Sequence, residues 1–263
     1  MQEIDAQLPG DGAQEVWSEG FSWWTQLGEW SPWILGTLAL ILIVRAMLRR
    51  GRYRALGVLG DPEQARVHAA IKAAELKTVG EIVPVVVERS DPHPGAAWIA
   101  AMCFLVLGSA LLVPVLPWGQ PVWLLATQFG LGAVGFFLAR MLPDIARLFI
   151  PRERAAAVCE EQAFQEFHKL GLQKTEAATG VLVFISLLEH HVVVLADEGI
   201  DAVVEQETWE RVTKAALDGV SSGDVVGGVV GAVTACGEVL SRHFPWVDGD
   251  RNELPDRLEV RRE

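Results

Sequence analysis

The longest uncharged stretch of the chain, residues 96–139, limits most strongly what this sequence can fold into. No Asp, Glu, Lys, Arg or His interrupts it. A helix rises about 1.5 Å per residue, so crossing the hydrocarbon core of a bilayer takes about 20 apolar residues. The stretch is long enough to cross twice, and Pro117 to Pro121 provide a turn between the crossings. The sequence therefore predicts a transmembrane helical hairpin over residues 96–139.

A second apolar segment, residues 31–48, is predicted to be the first of three membrane-spanning helices. Arginines follow both this segment and the hairpin: Arg49, Arg50, Arg52, Arg54, Arg140, Arg147, Arg152 and Arg154. Short segments rich in arginine stay on the cytoplasmic side of a membrane. We therefore expect a multi-pass protein of the cell inner (plasma) membrane, with its N-terminus outside and its main domain in the cytoplasm.

The net charge and the cysteine content argue against some classes of function. The formal net charge of -12 argues against a nucleic-acid partner, because binding to phosphates requires a basic face. The three cysteines, Cys103, Cys159 and Cys236, have neither metal-ligand spacing nor an obvious pairing. We expect them to be buried thiols in a reducing compartment.

The acidic N-terminal segment, residues 1–30, is dense in aromatic residues and is expected outside the membrane, where it forms an interfacial helix. The aromatic set that leads into the first span is Trp17, Phe21, Trp23, Trp24, Trp30 and Trp33. Tryptophan favours the membrane–water boundary because its ring is apolar and its N–H is polar. Two interpretations stay open: a helix lying on membrane lipid, or an aromatic face that docks onto an integral membrane protein partner.

The remaining segments alternate between helical and strand patterns. The predicted order is a helix from Asp61, a strand over Glu81–Arg89, the hairpin, a helix over Arg152–Leu170, strands over Gly180–Leu188 and Val192–Asp197, a helix over Val204–Leu217 and a last helix from Ser221. Pro84 lacks an N–H and argues for an edge position or a bulge in the first strand. This order predicts a layered α/β domain in two parts, residues 49–95 and 140–248, followed by a polar tail at 249–263.

The last helix has its own ambiguity. The spacing of Gly223, Gly227 and Gly231 is that of the glycines in membrane helix dimers. A fourth transmembrane helix is therefore the alternative interpretation of this segment. Asp224 and Glu238 would then lie within the bilayer, which is costly. We expect a tightly packed soluble helix instead, with Asp224 at its third position in a capping box begun by Ser221.

Several segments, taken in order, resemble one known family. The stretch TGVLVFISLLEHHVVVLADEGI at residues 179–200 is similar to the signature hairpin of the TPM-domain family. Residues 74–82, AELKTVGEI, resemble that family's first helix-to-strand junction, and residues 243–245 and 250–256 resemble its bacterial membrane branch, in which a hairpin is inserted after the first strand. The resemblance covers about residues 61–256. It implies a Rossmann-like αβα sandwich interrupted by the transmembrane hairpin and a membrane-associated accessory role.

The resemblance also raises a metal site, because some family members have been assigned acid phosphatase activity and divalent-metal binding through clustered aspartates. Asp197, Glu198 and Asp201 follow the second strand of the signature hairpin and are candidate ligands for Ca²⁺ or Mg²⁺. Open α/β sheets bind ligands beyond the carboxyl ends of their strands. The alternative is a solvated loop in which acids favour a helix N-terminus. Glu81 is a further candidate ligand.

We single out no catalytic and no cofactor-binding residues. Cys159 is followed six places later by Gln165, not by the arginine that a phosphatase loop needs. The favoured hypothesis is a non-catalytic, membrane-anchored accessory or assembly subunit of a larger membrane protein complex, photosynthetic or respiratory by analogy with the family. The alternative is a divalent-metal phosphatase on the cytoplasmic membrane face.

Overall fold

The chain was studied as a computed structural model, which describes residues 36–112, 121–175, 177–248, 253–254 and 258–261. It divides into two compact units. One contains the described residues up to Arg45 together with Trp98–Phe137, and the other contains Ala46–Ala97 together with Leu138–Glu263. The second unit is thus built from two separate stretches of chain.

The helices are α1 over residues 36–49, α2 (Ala55–Val58), α3 (Asp61–Glu75), α4 (Pro94–Leu112), α5 (Pro121–Met141), α6 (Pro143–Leu148), α7 (Arg152–Lys169), α8 (Glu198–Asp201), α9 (Trp209–Ser222) and α10 (Val225–His243). The strands are β1 (Glu81–Val87), β2 (Gly180–Ser186), β3 (His191–Ala196) and β4 (Glu259–Arg261). Single 3-10 turns occur at Arg50–Tyr53, Leu172–Lys174 and Gln206–Thr208.

In the first unit, α4 and α5 approach each other closely. A Cβ added to Gly135 would lie 2.7 Å from the Cβ of Phe104, so the absence of a side chain is what permits this contact. The rings of Trp98 and Phe136 are 4.9 Å apart. Helices α4 and α5 are both long and apolar enough to cross a membrane, and they carry most of the two halves of the predicted hairpin.

The sheet of the second unit has the strand order β3-β2-β1-β4. Strand β1 runs parallel to β2 and to β4, and β2 pairs with β3 in antiparallel fashion. In β1, the N–H of Glu81 donates to Thr179 on the β2 side, whereas the N–H groups of Ile82 and Glu88 donate away from β2. Pro84 shares the orientation of Ile82, and β4 covers only Val85–Val87. The missing donor of Pro84 therefore faces a stretch that no strand of the described residues covers. The expected edge position is nevertheless wrong, because β1 lies between β2 and β4 in the sheet.

Strand β4 corrects one sequence-based expectation. Residues 249–263 were expected to form a polar tail, yet Glu259–Arg261 add a fourth strand beside β1. The segment is three residues long, too short to show the alternation by which a strand is detected, and charged residues flank its single valine. Val260 nevertheless packs against the core of the sheet.

The sheet carries an apolar core on each face. Residues of α3, α9 and α10 pack with Ile82, Val86, Val181, Val183 and Ile185 on one face. Residues of α7, chiefly Cys159, Ala163 and Phe167, pack with Val83, Val85, Leu182 and Phe184 on the other. Because neighbouring strand residues point to opposite faces, β1 and β2 supply both cores and are buried along their whole length. This is the near-continuous apolar pattern that the sequence predicted for β2.

Helix α10 is also long and apolar enough to cross a membrane, but much of its apolar surface is buried within the second unit. A Cβ on Gly237 would lie 2.6 Å from the Cβ of Ala74 in α3, and a Cβ on Gly228 would lie 3.0 Å from the Cα of Gly219 in α9. These close approaches support the expected tightly packed helix. The glycines that make them differ from the predicted ladder.

The start of α10 is a second correction. Asp224 is the N-cap itself, and its Oδ1 accepts a hydrogen bond from the N–H of Gly227 at 2.9 Å. Ser221 belongs to α9, which ends at Gly223 with a left-handed φ of 88°. The expected capping box begun by Ser221 is therefore wrong, because the glycine terminates one helix before the next begins.

Candidate functional site

The candidate site lies at the carboxyl ends of the parallel strands β1 and β2. Beyond β1 the chain continues through residues 88–93 into α4, and beyond β2 it turns through residues 187–190 into β3. The N–H of Leu188 donates to the carbonyl of Glu88, which holds the two segments together. Open α/β sheets bind their ligands at this edge, so the polar side chains gathered here are the first to consider.

Glu189 is the centre of a buried polar network. Its side chain has no solvent exposure, and its Oε1 lies 2.7 Å from Nε2 of His93. The same oxygen accepts a hydrogen bond from the N–H of Ser90 at 3.1 Å, and Oε2 accepts one from the hydroxyl of Ser186. A buried carboxylate is tolerated only when such partners replace water. The network therefore joins the linker after β1 to the turn after β2.

His93 has an unusual backbone conformation. Its φ is 45°, in the left-handed region, and it directly precedes Pro94, the first residue of α4. Left-handed backbone is uncommon for a residue other than glycine and is kept only where surrounding contacts impose it. Here the N–H of His93 donates to Oδ1 of Asp91 at 2.6 Å, while Oδ2 of Asp91 binds Arg154 at 3.1 Å. The start of α4 is thus fixed by hydrogen bonds within the second unit, which contains the sheet (the sheet unit).

Cys159 lies next to this network, but its thiol is not activated as a nucleophile. Its Sγ lies 3.3 Å from Oγ of Ser90. Burial raises the pKa of the thiol to about 12, so the thiolate that would act as a nucleophile is not formed near neutral pH. This agrees with the expectation of a buried thiol.

A second cluster lies beside the first. The hydroxyl of Tyr53 donates a hydrogen bond to Asp144, and burial together with this carboxylate raises the pKa of Tyr53 to about 12. The ring of His190 lies 6.0 Å from that of Tyr53. Burial, assisted by the positive charge of Arg147, lowers the pKa of His190 to about 4. These residues line a cavity of about 250 Å³.

A larger cavity of about 510 Å³ opens next to the linker after β1. It shares Tyr53 with the smaller cavity and is lined by His93 and Glu88. Its basic residues are Arg50, Arg54, Arg89 and Arg140. Apart from Arg89, the arginines of both cavities are ones for which the sequence predicted only a role in membrane orientation.

The predicted metal ligands lie elsewhere. Oδ1 of Asp197 caps α8 by accepting a hydrogen bond from the N–H of Glu198 at 2.9 Å, and Glu198 and Asp201 are exposed. The N–H of Asp197 donates to Gly180, the first residue of β2. Because β3 is antiparallel, its carboxyl end lies at the amino edge of β1 and β2. The argument that placed these acids at the usual ligand edge was therefore wrong.

The fit of these acids to a cation can be judged from their surroundings. Oδ2 of Asp197 is buried without a hydrogen-bond partner among the described residues, which leaves one free oxygen. Glu81, at the same edge, uses its Oε1 to accept a hydrogen bond from the N–H of Glu253 at 2.8 Å. Within the described residues no three His, Cys, Asp or Glu side chains gather into a group that could hold a metal ion. The residues that the structure describes at this edge do not fit a Ca²⁺ or Mg²⁺ site, and we derive no reaction step through a metal.

The aromatic residues proposed for a partner or membrane interface, Trp17, Phe21, Trp23, Trp24, Trp30 and Trp33, lie outside the described residues. The pair of His93 and Glu189 was not found from the sequence, because 96 positions separate the two residues. The sequence leaves residues 189–191 between two predicted strands, as a turn, and the structure places the turn at 187–190 and His191 in β3. A turn pattern carries no signal that one of its side chains is buried.

Comparison with known proteins identifies part of the chain. Residues 144–239 match the family model described as the TPM domain. Among solved structures, the BA42 protein from the psychrophilic bacterium Bizionia argentinensis is similar, with 19% identity over 76% of this chain and 94% of that chain and a TM-score of 0.49. No curated protein matches the chain.

The fold and the site define the class of protein first. It is a mixed α/β domain whose chain is interrupted, directly after its first strand, by helices apolar enough to cross a membrane. Within that class, residues 144–239 are similar to the TPM domain.

Proposed function

We propose that this protein is a non-catalytic, membrane-anchored accessory or assembly subunit of a larger membrane protein complex. In this proposal a Rossmann-like αβα domain of the TPM type lies on the cytoplasmic face of the inner membrane, and α4 and α5 anchor it. The observation that carries the proposal is the buried contact between His93 and Glu189. It attaches the residue directly before α4 to the turn after β2.

The contacts of the linker after β1 support this proposal. The linker is held by the Ser90 and His93 contacts to Glu189, by the pairing of Asp91 with Arg154, and by the backbone bond of Glu88 to Leu188. All of these contacts lie within the second unit, so the segment that leads into α4 is part of the packed domain.

The surface of the hairpin supports a partner within the membrane. Large apolar side chains on both helices are well exposed, including Trp98 at 66% and Phe129 at 81%. In a bilayer such surfaces contact lipid or another membrane protein. Gly130 leaves open space on the surface of α5, because a Cβ there would have no neighbour within 4 Å. Small residues on a helix surface let another helix approach closely.

The test is copurification from native membranes. A tagged full-length chain, solubilised in a gentle detergent after mild crosslinking, is expected to migrate with a defined larger complex. A matched variant, Gly130→Leu, fills the small-residue position and is expected to weaken that association, whereas Val122→Leu at another exposed position is not. Migration of the native protein only as a free monomer would overturn the partner claim.

The same preparation distinguishes the phosphatase alternative. The full-length protein is assayed on a generic phosphate ester with added Mg²⁺ or Ca²⁺, beside an Asp197→Asn variant. We expect no turnover above background for either protein. Metal-dependent turnover by the native protein that is lost in Asp197→Asn would overturn the non-catalytic assignment and establish the alternative.

A further inference from the structure

The larger cavity gathers arginines from three separate parts of the chain. Arg50 and Arg54 come from the stretch that follows α1, Arg89 from the linker after β1, and Arg140 from the last turn of α5. Residues brought together from such distant positions are placed by the fold and not by a local run of basic sequence. The cavity, about 510 Å³ in volume, lies in the range of small-ligand sites.

The charge of the cavity is strongly positive. Glu88 is the carboxylate that lines it, and its Oε1 already accepts a hydrogen bond from the N–H of Ala55 at 3.0 Å. The first turn of α4 also lines the cavity through Pro94, Ala96 and Ala97, and it contains no acidic residue. The N-terminal end of a helix carries a partial positive charge. Four guanidinium groups and this helix end therefore favour an anion.

Arginine specifies which anion fits best. A guanidinium group is planar and offers parallel N–H donors, a geometry that matches phosphate oxygens in bidentate fashion. Several guanidinium groups around one cavity can share the oxygens of a single phosphate. Tyr53 and His93 add polar side chains to the same wall.

The position of the cavity along the chain indicates where such a phosphate would come from. The cavity is lined by the first turn of α4 and by Ala139, Arg140 and Met141 at the end of α5. Both helices are apolar enough to cross a bilayer, so their ends fall at the depth of the lipid headgroups. Basic cavities at the cytoplasmic ends of membrane helices suit anionic headgroups.

We infer that this cavity binds the phosphate of an anionic phospholipid headgroup. The inference depends on the membrane anchoring contained in the proposed function, but not on its partner. A lipid so bound contacts the linker after β1, α5 and the stretch after α1 at once. It therefore stabilises the packing of these three segments against one another.

The experiment uses the full-length protein in nanodiscs and compares its melting temperature in pure phosphatidylcholine with that in phosphatidylcholine containing phosphatidylglycerol. A second arm titrates inorganic phosphate into protein in neutral detergent. The test variant, Arg50→Gln with Arg54→Gln, changes two exposed side chains and leaves the core intact. The control, Arg66→Gln with Arg152→Gln, removes the same charge from exposed positions outside the cavity.

We expect phosphatidylglycerol to raise the melting temperature of the native protein and of the control, and inorganic phosphate to have no comparable effect. The apparent affinity for phosphatidylglycerol falls by about tenfold or more in the test variant, as the loss of charge-assisted hydrogen bonds requires. A second variant, Arg89→Lys, keeps the charge, loses the bidentate geometry and shows an intermediate loss.

Three results would overturn the inference. Equal stabilisation by phosphatidylcholine and phosphatidylglycerol would show no headgroup selectivity. Equal loss in the test and control variants would show a general charge effect and no site. Stabilisation by inorganic phosphate alone would assign the cavity to a soluble phosphate compound in place of a lipid. None of these results depends on whether the protein copurifies with a partner, so failure here is distinguishable from failure of the proposed function.

Discussion

His93 and Glu189 meet with Nε2 and Oε1 2.7 Å apart, although 96 positions separate them in the chain. Both residues are buried, at 8% and 7% exposure. One belongs to the linker that begins α4 and the other to the turn after β2. The contact therefore couples the chain that leaves the sheet toward the hairpin to the strand that receives the chain on its return.

Removing Glu189 is expected to leave its partners buried and unpaired. Glu189→Ala should lower the free energy of unfolding by about 3 kcal/mol or more, because Ser90, Ser186 and His93 lose a shared acceptor. Chemical unfolding of the full-length protein in detergent measures this. The control Glu160→Ala, at an exposed position of α7, should change stability by about 0.5 kcal/mol at most. Similar values for both variants would contradict the central role of Glu189.

Acidification is expected to destabilise the fold through His190. Its pKa is lowered to about 4 in the folded chain from the ordinary 6.5. Between these values the unfolded chain binds a proton that the folded chain does not, so stability falls as the pH decreases from 6.5 toward 4. Unfolding measured across this range should show a shallower pH dependence in His190→Asn, a residue that tolerates the left-handed φ of 49°.

The control for the pH experiment is His243→Asn, at an exposed position of the last turn of α10. It should retain the pH dependence of the native protein. Arg147→Gln offers an independent check, because removing a positive charge near His190 raises the folded-state pKa of the imidazole toward 6.5. The pH range over which stability falls is then shorter, and the total loss of stability is smaller. An unchanged pH profile in both His190→Asn and Arg147→Gln would exclude His190 as its source.

The packing of α10 on α3 predicts a strong difference between two glycines of one helix. Gly237→Ala places a Cβ 2.6 Å from the Cβ of Ala74 and should destabilise the protein by about 1–3 kcal/mol. Gly231→Ala meets the Cβ of Ala215 at 3.6 Å, an ordinary contact, and should be neutral or stabilise the helix by up to about 1 kcal/mol. Thermal unfolding compares them. Equal effects would mean that α10 does not pack closely on α3.

The proposed orientation is tested by labelling with a membrane-impermeant maleimide. In a background without native cysteines, Glu207→Cys introduces an exposed thiol before α9, and it should react only after the cells are permeabilised. Ser18→Cys, in the segment expected outside, should react in intact cells. Labelling of Glu207→Cys from outside intact cells would mean that the orientation is opposite to the proposed one and that the sheet unit lies outside the cytoplasm.

Local pattern predicted most of the fold. The hairpin expected over 96–139 corresponds to α4 and α5, and the apolar runs that begin at Glu81, Gly180 and Val192 correspond to β1, β2 and β3 within a residue or two. These features depend on composition and periodicity within a short window. Strand β4 has only three residues, and its pairing with Val85–Val87 depends on contacts far along the chain. Nothing local marks it as a strand.

The site was harder to predict for the same physical reason. Asp197 was assigned to the ligand edge from its position after a strand, but the direction of β3 puts it at the opposite edge, beside Gly180. The contact of Glu189 with His93 depends on β1 and β2 being adjacent and parallel, which a single sequence does not state. The arginines were visible, whereas their convergence on one cavity depends on the tertiary structure.

The insertion of α4 and α5 between two adjacent strands has a consequence for biosynthesis. Strand β1, buried along its length in the finished protein, leaves the ribosome before the hairpin and α7, and its neighbour β2 is made only after both. The nascent chain must therefore extend through both helices and α7 while β1 still lacks this neighbour. Assembly of the sheet thus waits for synthesis of the whole insertion, and during that interval β1 is an unpaired apolar strand, open to pairing with the wrong chain.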